Sequence, residues 1–235
     1  MIVRNLHKAY GKNEVLKGID LDLPDGRITA VLGPNGSGKT TLIKSILGMV
    51  IGQEGEIIVG GKNIKGDWLY RRDIGYLPQI ARFPENLKLR ELIKMVKDIR
   101  NQPASDTELI SLFGLEPYLG KPLRYLSGGT RQKVNILIAF MFDCHYLVLD
   151  EPTVGLDPLA LIRFKDLLIS KKEAGKAILL TTHIVSLVEE LADEVIFILE
   201  GKIYFHGKIE DLKAQSSEPN LERAIAGILI GQGHV

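Results

Sequence analysis

Nine consecutive residues, GPNGSGKTT (Gly33, Pro34, Asn35, Gly36, Ser37, Gly38, Lys39, Thr40 and Thr41), have the types and spacing that hold a polyphosphate. Glycines let successive backbone N–H groups converge on a β-phosphate, Lys39 sets a point charge against the β- and γ-phosphates, and Thr40 offers a hydroxyl to Mg²⁺. YLVLDEPT supplies acids: an apolar run over residues 146–149 ends in Asp150 and Glu151. Asp150 is expected to hold Mg²⁺ through water, since that ion keeps much of its hydration shell. Glu151, one residue further, is placed to take a proton from an attacking water. LLTTH ends another apolar run at His183, whose neutral imidazole could hydrogen-bond a γ-phosphate and that water. GYLPQ brings Gln79, whose amide could reach Mg²⁺ or the water. Asp150 and Glu151, taken alone, are two acids ending a strand at solvent; beside a phosphate cradle they become a magnesium-dependent hydrolytic set.

These residues converge only if strands deliver them to one edge. The run 28–32 feeds the glycine-rich turn and predicts a buried strand followed by a helix over 39–49. Strands are expected at 146–149, 177–181, 195–199 and 202–206, with helices at 129–142, 158–174 and 184–192 between them. Strands alternating with helices imply a largely parallel sheet buried on both faces, with Asp150, Glu151 and His183 at its C-terminal edge, where such folds bind ligands. MIVRNLHKAY and the alternating residues 19–23 read as half-buried strands, and GEIIVGGKNI as a hairpin about Gly60-Gly61. Residues 83–125 change to helical periodicity, with Leu89, Leu92, Ile93 and Val96 on one face. Leu221, Ala224, Ile225, Ile228 and Leu229 predict a short amphipathic helix at the end of the chain. Trp68 and Tyr70 read as packing in the β-rich lobe.

Composition removes several function classes. With 235 residues, 45% of them hydrophobic, the chain can bury one large core. Thirty basic residues against twenty-nine acidic leave a net charge of +1, without the whole-domain basic footprint of a nucleic-acid binder. The single cysteine, Cys144, forms no internal disulfide and suits a reducing compartment; with His145 it makes too few ligands for a metal site. No signal peptide is evident, and the apolar stretch 134–149 is broken by Asn135, Asp143 and His145, so work at a membrane would require docking on another protein. His7, His206 and His234 converge with nothing.

LSGGTRQK, residues 126–133, looks like a second phosphate cradle, a helix start with Ser127, Gly128 and Gly129. Its order with the first cradle, Gln79, YLVLDEPT, GLDP and LLTTH resembles the nucleotide-binding subunits of ATP-binding-cassette (ABC) transporters, over residues 2–206. That resemblance implies an α/β fold: a P-loop NTPase core with a mostly parallel sheet (residues 1–82 and 126–215), an N-terminal antiparallel β lobe, an inserted helical lobe (83–125) and a short C-terminal helix (216–235). It implies ATP and Mg²⁺, with Glu151, His183 and Gln79 catalytic, Thr40, Gln79 and Asp150 at the metal, and Tyr10 stacked on adenine. Ser127, Gly128 and Gly129 would close over ATP bound to a second copy of the chain, a homodimer on the cytoplasmic face of a separate membrane permease, with residues 83–125 as the docking surface. A helix N-terminus offers unpaired N–H groups and about half a positive charge for that task. Asp157 in GLDP would contact the partner across the same interface.

One position departs from the pattern: Thr130 stands where the family most often has glutamine. The LSGGTRQK form and the tract after it are similar to the ATPase subunit of the exporter used in nitrous-oxide reductase maturation, a copper-linked system, which implies export. A soluble ABC ATPase serving an assembly scaffold would share every catalytic residue. A non-hydrolysing module would be expected to lack Glu151 or His183, and a DNA-repair member would need a long heptad insertion.

Overall fold

The computed structural model describes residues 1–216 and 220–231. Two sheets organise them. β1 (Ile2–Tyr10), β2 (Asn13–Asp22), β4 (Glu54–Val59) and β5 (Lys62–Asn63) form an antiparallel sheet in the order β2-β1-β4-β5. The second sheet has the order β10-β9-β3-β8-β7-β6, built from β3 (Ile28–Leu32), β6 (Ile74–Leu77), β7 (Tyr146–Asp150), β8 (Ala177–Thr181), β9 (Glu194–Leu199) and β10 (Lys202–Gly207). Only β10 runs antiparallel to its neighbour there. The expected mostly parallel core and antiparallel β lobe are therefore both present.

All five residues of β3, β7 and β8 are buried, as continuous apolar runs predict for strands covered on both faces. Parallel register sets the functional edge: Val31 pairs Thr181, Asp150 pairs Thr181, and Leu77 pairs Leu149. The turns after β3, β6, β7 and β8 thus leave the sheet on one side, carrying the glycine-rich loop, Gln79, Glu151 and His183.

The helical insert comprises α2 (Leu89–Arg100) and α3 (Asp106–Phe113). Leu89, Leu92 and Ile93 are buried, as periodicity predicts, and share one hydrophobic cluster with Val134, Leu137 and Phe140 of α4 (Gly128–Phe140) and Phe164 of α5 (Pro158–Glu173). Phe140 and Phe164 meet edge to face at 6.0 Å, a geometry favoured by the ring quadrupoles. The insert is bolted to the core through α4, the helix that begins in the Ser127 motif.

Several expectations need correcting. The helix after the glycine loop, α1 (Lys39–Ile46), ends before residue 49, because Gly48 at φ 64° donates back to the Ser45 carbonyl and turns the chain. α4 starts at Gly128 and stops at Phe140 rather than spanning 129–142. β2 begins six residues before Ile19. β6 was not anticipated: its four residues are too few to show a period. Trp68 does not pack the β lobe, being 61% exposed, whereas Tyr70 is buried and donates its hydroxyl to the Ile46 carbonyl. α6 (Val185–Leu191) agrees within a residue, and α7 (Ile209–Ser216) is an additional helix. Leu221 and Ala224 of α8 (Leu221–Gly231) are buried against Val188 and Val195, so this face covers the core; the side chains of Ile228 and Leu229, and all of His234, lie outside the described residues.

Candidate functional site

Gly33 leaves β3 at φ 153° and Gly38 caps α1 at φ 111°. A Cβ on Gly33 would overlap the Ile198 carbonyl oxygen, and one on Gly38 would come within 2.8 Å of Leu16 Cδ2. Both positions demand glycine on space as well as conformation. The loop is braced from behind, where the Gly201 N–H donates to the Ser37 carbonyl (3.1 Å). Gly36 meets nothing within 4 Å and leaves the mouth of the loop open.

Lys39 Nζ folds back and donates to the carbonyls of Gly33 (2.6 Å) and Pro34 (3.0 Å). Burial holds its ammonium below the ordinary lysine value, opposed by the charges of Glu151 and then Asp150. Asp150 is 6% exposed and accepts the Thr181 hydroxyl at 2.6 Å. Burial pushes its carboxyl above the usual carboxylate range; the Thr181 bond acts against that rise and neighbouring Glu151 adds to it.

Glu151 sits at φ 48°, a left-handed conformation that costs a non-glycine residue free energy. Its N–H donates to the Thr181 carbonyl (3.0 Å), which holds it there. His183 Nδ1 stands 3.0 Å from Glu151 Oε2, an ion-pair distance without hydrogen-bond alignment, so that buried oxygen makes no hydrogen bond. Ser37 Oγ is likewise buried without a partner. Orphaned buried polar atoms are rare in folded proteins, and here one belongs to the glycine loop and the other, on Glu151, borders the opening that the loop faces.

That opening is a cleft of about 320 Å³ lined by Asn13, Val15, Asn35, Gly36, Gly38, Lys39, Thr40, Thr41, Gln79, Asp150 and Glu151. The structure brings together most of the residues singled out in the sequence. Gly33, Pro34 and Ser37 belong to the loop without lining the cleft. His183, with a side chain 72% exposed, lies at the edge beside Glu151. Tyr10 is half exposed at the end of β1, with Lys8 Nζ 5.2 Å from its ring centroid, and is not in the cleft lining.

Ser127, Gly128 and Gly129 are also absent from that lining. Ser127 caps α4, accepting from the Thr130 N–H (3.3 Å), and Ser127 and Gly128 are exposed. A Cβ on Gly129 would lie 2.8 Å from the Gly155 carbonyl, while Gly128 faces open space. Thr130 is buried with its hydroxyl 2.9 Å from Ser127 Oγ. Asp157 is used within the chain: it caps α5 through the Ala160 N–H (2.8 Å) and pairs with Lys133 of α4 (2.6 Å). Both bonds hold its carboxyl below the usual range.

The sequence reasoning missed Asn13, Val15 and Thr181. Asn13 and Val15 arrive because β2 starts beside the loop, and their types carry no signal. Thr181 had one, a hydroxyl ending an apolar run on the same sheet edge as Asp150. Three other histidines face acids away from the cleft: His7 bonds Glu14 (2.9 Å), His145 bonds Asp25 (2.9 Å), and His206 lies 3.5 Å from Glu194. Cys144 is buried, and no group of three metal-ligating side chains occurs among the described residues. Among those residues no helix is long and apolar enough to cross a membrane.

Residues 16–154 match the family model of the ABC transporter. The chain is 35% identical over 205 residues to the lantibiotic transport ATP-binding protein SrtF of Streptococcus pyogenes, covering 86% of this chain and 87% of that one. It is 34% identical over 228 residues to the sulfate/thiosulfate import ATP-binding protein CysA of Synechocystis sp., covering 93% of this chain and 63% of that one. A solved ATP-binding subunit of an ABC transporter superposes with a TM-score of 0.90 at 29% identity, over 96% of this chain and 97% of the other. A phosphate cradle, two acids at the parallel edge, and this extent of likeness lead to one conclusion: the chain belongs to the ABC transporter family, as an ATP-binding subunit of its ATPase class.

Proposed function

We propose that this chain hydrolyses ATP as a homodimer, two nucleotides being held between two copies, on the cytoplasmic face of a separate permease that exports its cargo. The observation that carries the two-chain reading is the separation within one chain: the cleft of the glycine loop is lined by Lys39, Asp150 and Glu151, while the exposed Ser127-Gly128 helix start lies outside that lining. Export rests on the resemblance of the LSGGTRQK tract; relatives of the chain include an importer.

The residues present fit ATP and Mg²⁺. In this reading Lys39 exchanges the carbonyls of Gly33 and Pro34 for β- and γ-phosphate oxygens, and the loop N–H groups take the β-phosphate. Thr40, Gln79 and, through water, Asp150 would hold Mg²⁺, which when bound neutralises charge developing on the phosphates. Glu151 accepts the proton of the attacking water, its Oε2, which makes no hydrogen bond and stands 3.0 Å from His183 Nδ1, being the available base. His183 hydrogen-bonds the γ-phosphate and that water, Gln79 orients the water, and Tyr10 stacks on adenine. Ser127, Gly128 and Gly129 of the second copy close the site.

Mixing two inactive variants tests this. Gly128→Asp sets a carboxylate against the partner's γ-phosphate, and Lys39→Ala removes the cradle's charge. A mixed dimer has one intact site and one doubly broken site. Random pairing of equal amounts makes about half the dimers mixed, so ATPase activity should recover to about one quarter of the unmodified protein. No recovery from demonstrated mixed dimers, or loss of ATP binding by the Gly128→Asp monomer, overturns the two-chain site.

A further inference from the structure

Two buried amides on α4 have no part in the site as described so far. Gln132 and Asn135 lie three residues apart, hence on one face of the helix, and are 8% and 2% exposed. Gln132 Nε2 donates to the Pro152 carbonyl at 2.6 Å. Asn135 Nδ2 donates to the Pro78 carbonyl at 2.8 Å and approaches Gln132 Oε1 at 3.4 Å. Burying amides on a helix that also buries Val134, Ile136 and Leu137 is unfavourable unless each meets a partner. Here the partners are two loop carbonyls just beyond the sheet, since β6 ends at Leu77 and β7 at Asp150.

The two carbonyls are those that set the reacting side chains. The Pro78 carbonyl shares a planar peptide unit with the Gln79 N–H, so fixing its direction leaves only the φ of Gln79 and its side-chain torsions to place the amide. The Pro152 carbonyl follows Glu151, the residue held at φ 48°; a bond there resists relaxation of the turn. From these contacts we infer that Asn135 and Gln132 are positioning residues for hydrolysis, holding the Gln79 and Glu151 loops in one register through a single helix. This rests on the role given to Gln79 above. Because Ser127 caps α4, a shift of its N-terminal end against a second chain moves both loops of its own site together.

Asn135→Ala removes the donor while favouring the helix, and Asn135→Leu removes it at matched bulk, so loss of fold in one leaves the other to read. Either should lower kcat about 10-fold, the scale of a sub-ångström misplacement, with ATP Kd unchanged. In a Gln79→Ala background the same substitution should cost nothing further, because the group it positions is gone; a packing defect would add in full. Multiplicative losses, a change confined to ATP Kd, or unchanged turnover overturn the inference. Undiminished turnover in Gln79→Ala alone removes Gln79 from the site instead, and is distinguishable from the other failures.

Discussion

Glu151→Gln separates the chemistry of the acid from the geometry of its turn. Neighbours fix the backbone there: the Glu151 N–H is bonded to Thr181 and the Pro152 carbonyl to Gln132. The amide should therefore adopt the same φ of 48°, leaving ATP binding intact. What it cannot do is accept a proton, so turnover should fall by the ~10²–10⁴-fold of a lost general base. Stability should move little. The amide keeps the bulk of a side chain that is 7% exposed and gives up the repulsion of Asp150 together with the attraction of Lys39 and of His183, 3.0 Å from Oε2. These losses oppose one another, and a net change within about 1 kcal/mol moves Tm by no more than about 2–4 °C in a domain of this size. Asp150 should also lose one of the influences raising its pKa, and Lys39 the carboxylate that most opposes its depression. Steady-state turnover, equilibrium ATP binding and a thermal melt without nucleotide read the three effects. Unchanged turnover with ATP bound refutes the base; lost binding refutes the claim that neighbours, not the carboxylate, hold the turn.

Asp150→Asn keeps an acceptor for the Thr181 hydroxyl but removes a buried charge. Burial raises the folded-state pKa of Asp150, so the folded protein takes up its proton before the unfolded chain does, and the cost of the ionised form, full above the folded value, shrinks as pH falls through it and is gone below the unfolded value. The variant should melt above the unmodified protein at neutral pH, with a gap that closes on acidification; a gap that widens contradicts the sign. Gly33→Ala places a methyl against the Ile198 carbonyl at a φ suited to glycine and should lower Tm as well as weaken ATP binding, whereas Gly36→Ala, strained at φ 83° but meeting no neighbour, should lower Tm less; equal losses would refute the steric account.

Legibility in the sequence followed the range of the forces involved. β3, β7 and β8 announced themselves because strands buried on both faces must be apolar throughout, and the chemical residues followed because the turn after such a strand is where a polar side chain can reach a ligand. β6, with four residues, is held by its pairing to β7, a long-range fact that no local pattern records. Trp68 misled for a related reason: size argues for burial, but the lone buried position of that short turn is taken by Tyr70, whose hydroxyl finds the Ile46 carbonyl. Gln132 and Asn135 read as polar positions on a helix, and only the arrival of Pro78 and Pro152 carbonyls from distant loops gives them work.

Thr130 shows how a departure from a family pattern can be absorbed locally. Its hydroxyl turns inward, 2.9 Å from Ser127 Oγ, and its N–H reaches the same oxygen at 3.3 Å. Ser127 Oγ has one hydrogen to give and two lone pairs to accept with. If Thr130 donates both its N–H and its O–H, those lone pairs are filled and the Ser127 hydrogen points away from the helix, toward whatever faces the exposed N-terminus. In the two-chain reading proposed above, the shorter residue would then act on the partner's phosphate through Ser127 instead of touching it. Thr130→Val keeps the shape and the N–H but removes the hydroxyl, so the Ser127 hydrogen loses this orientation while the cap survives.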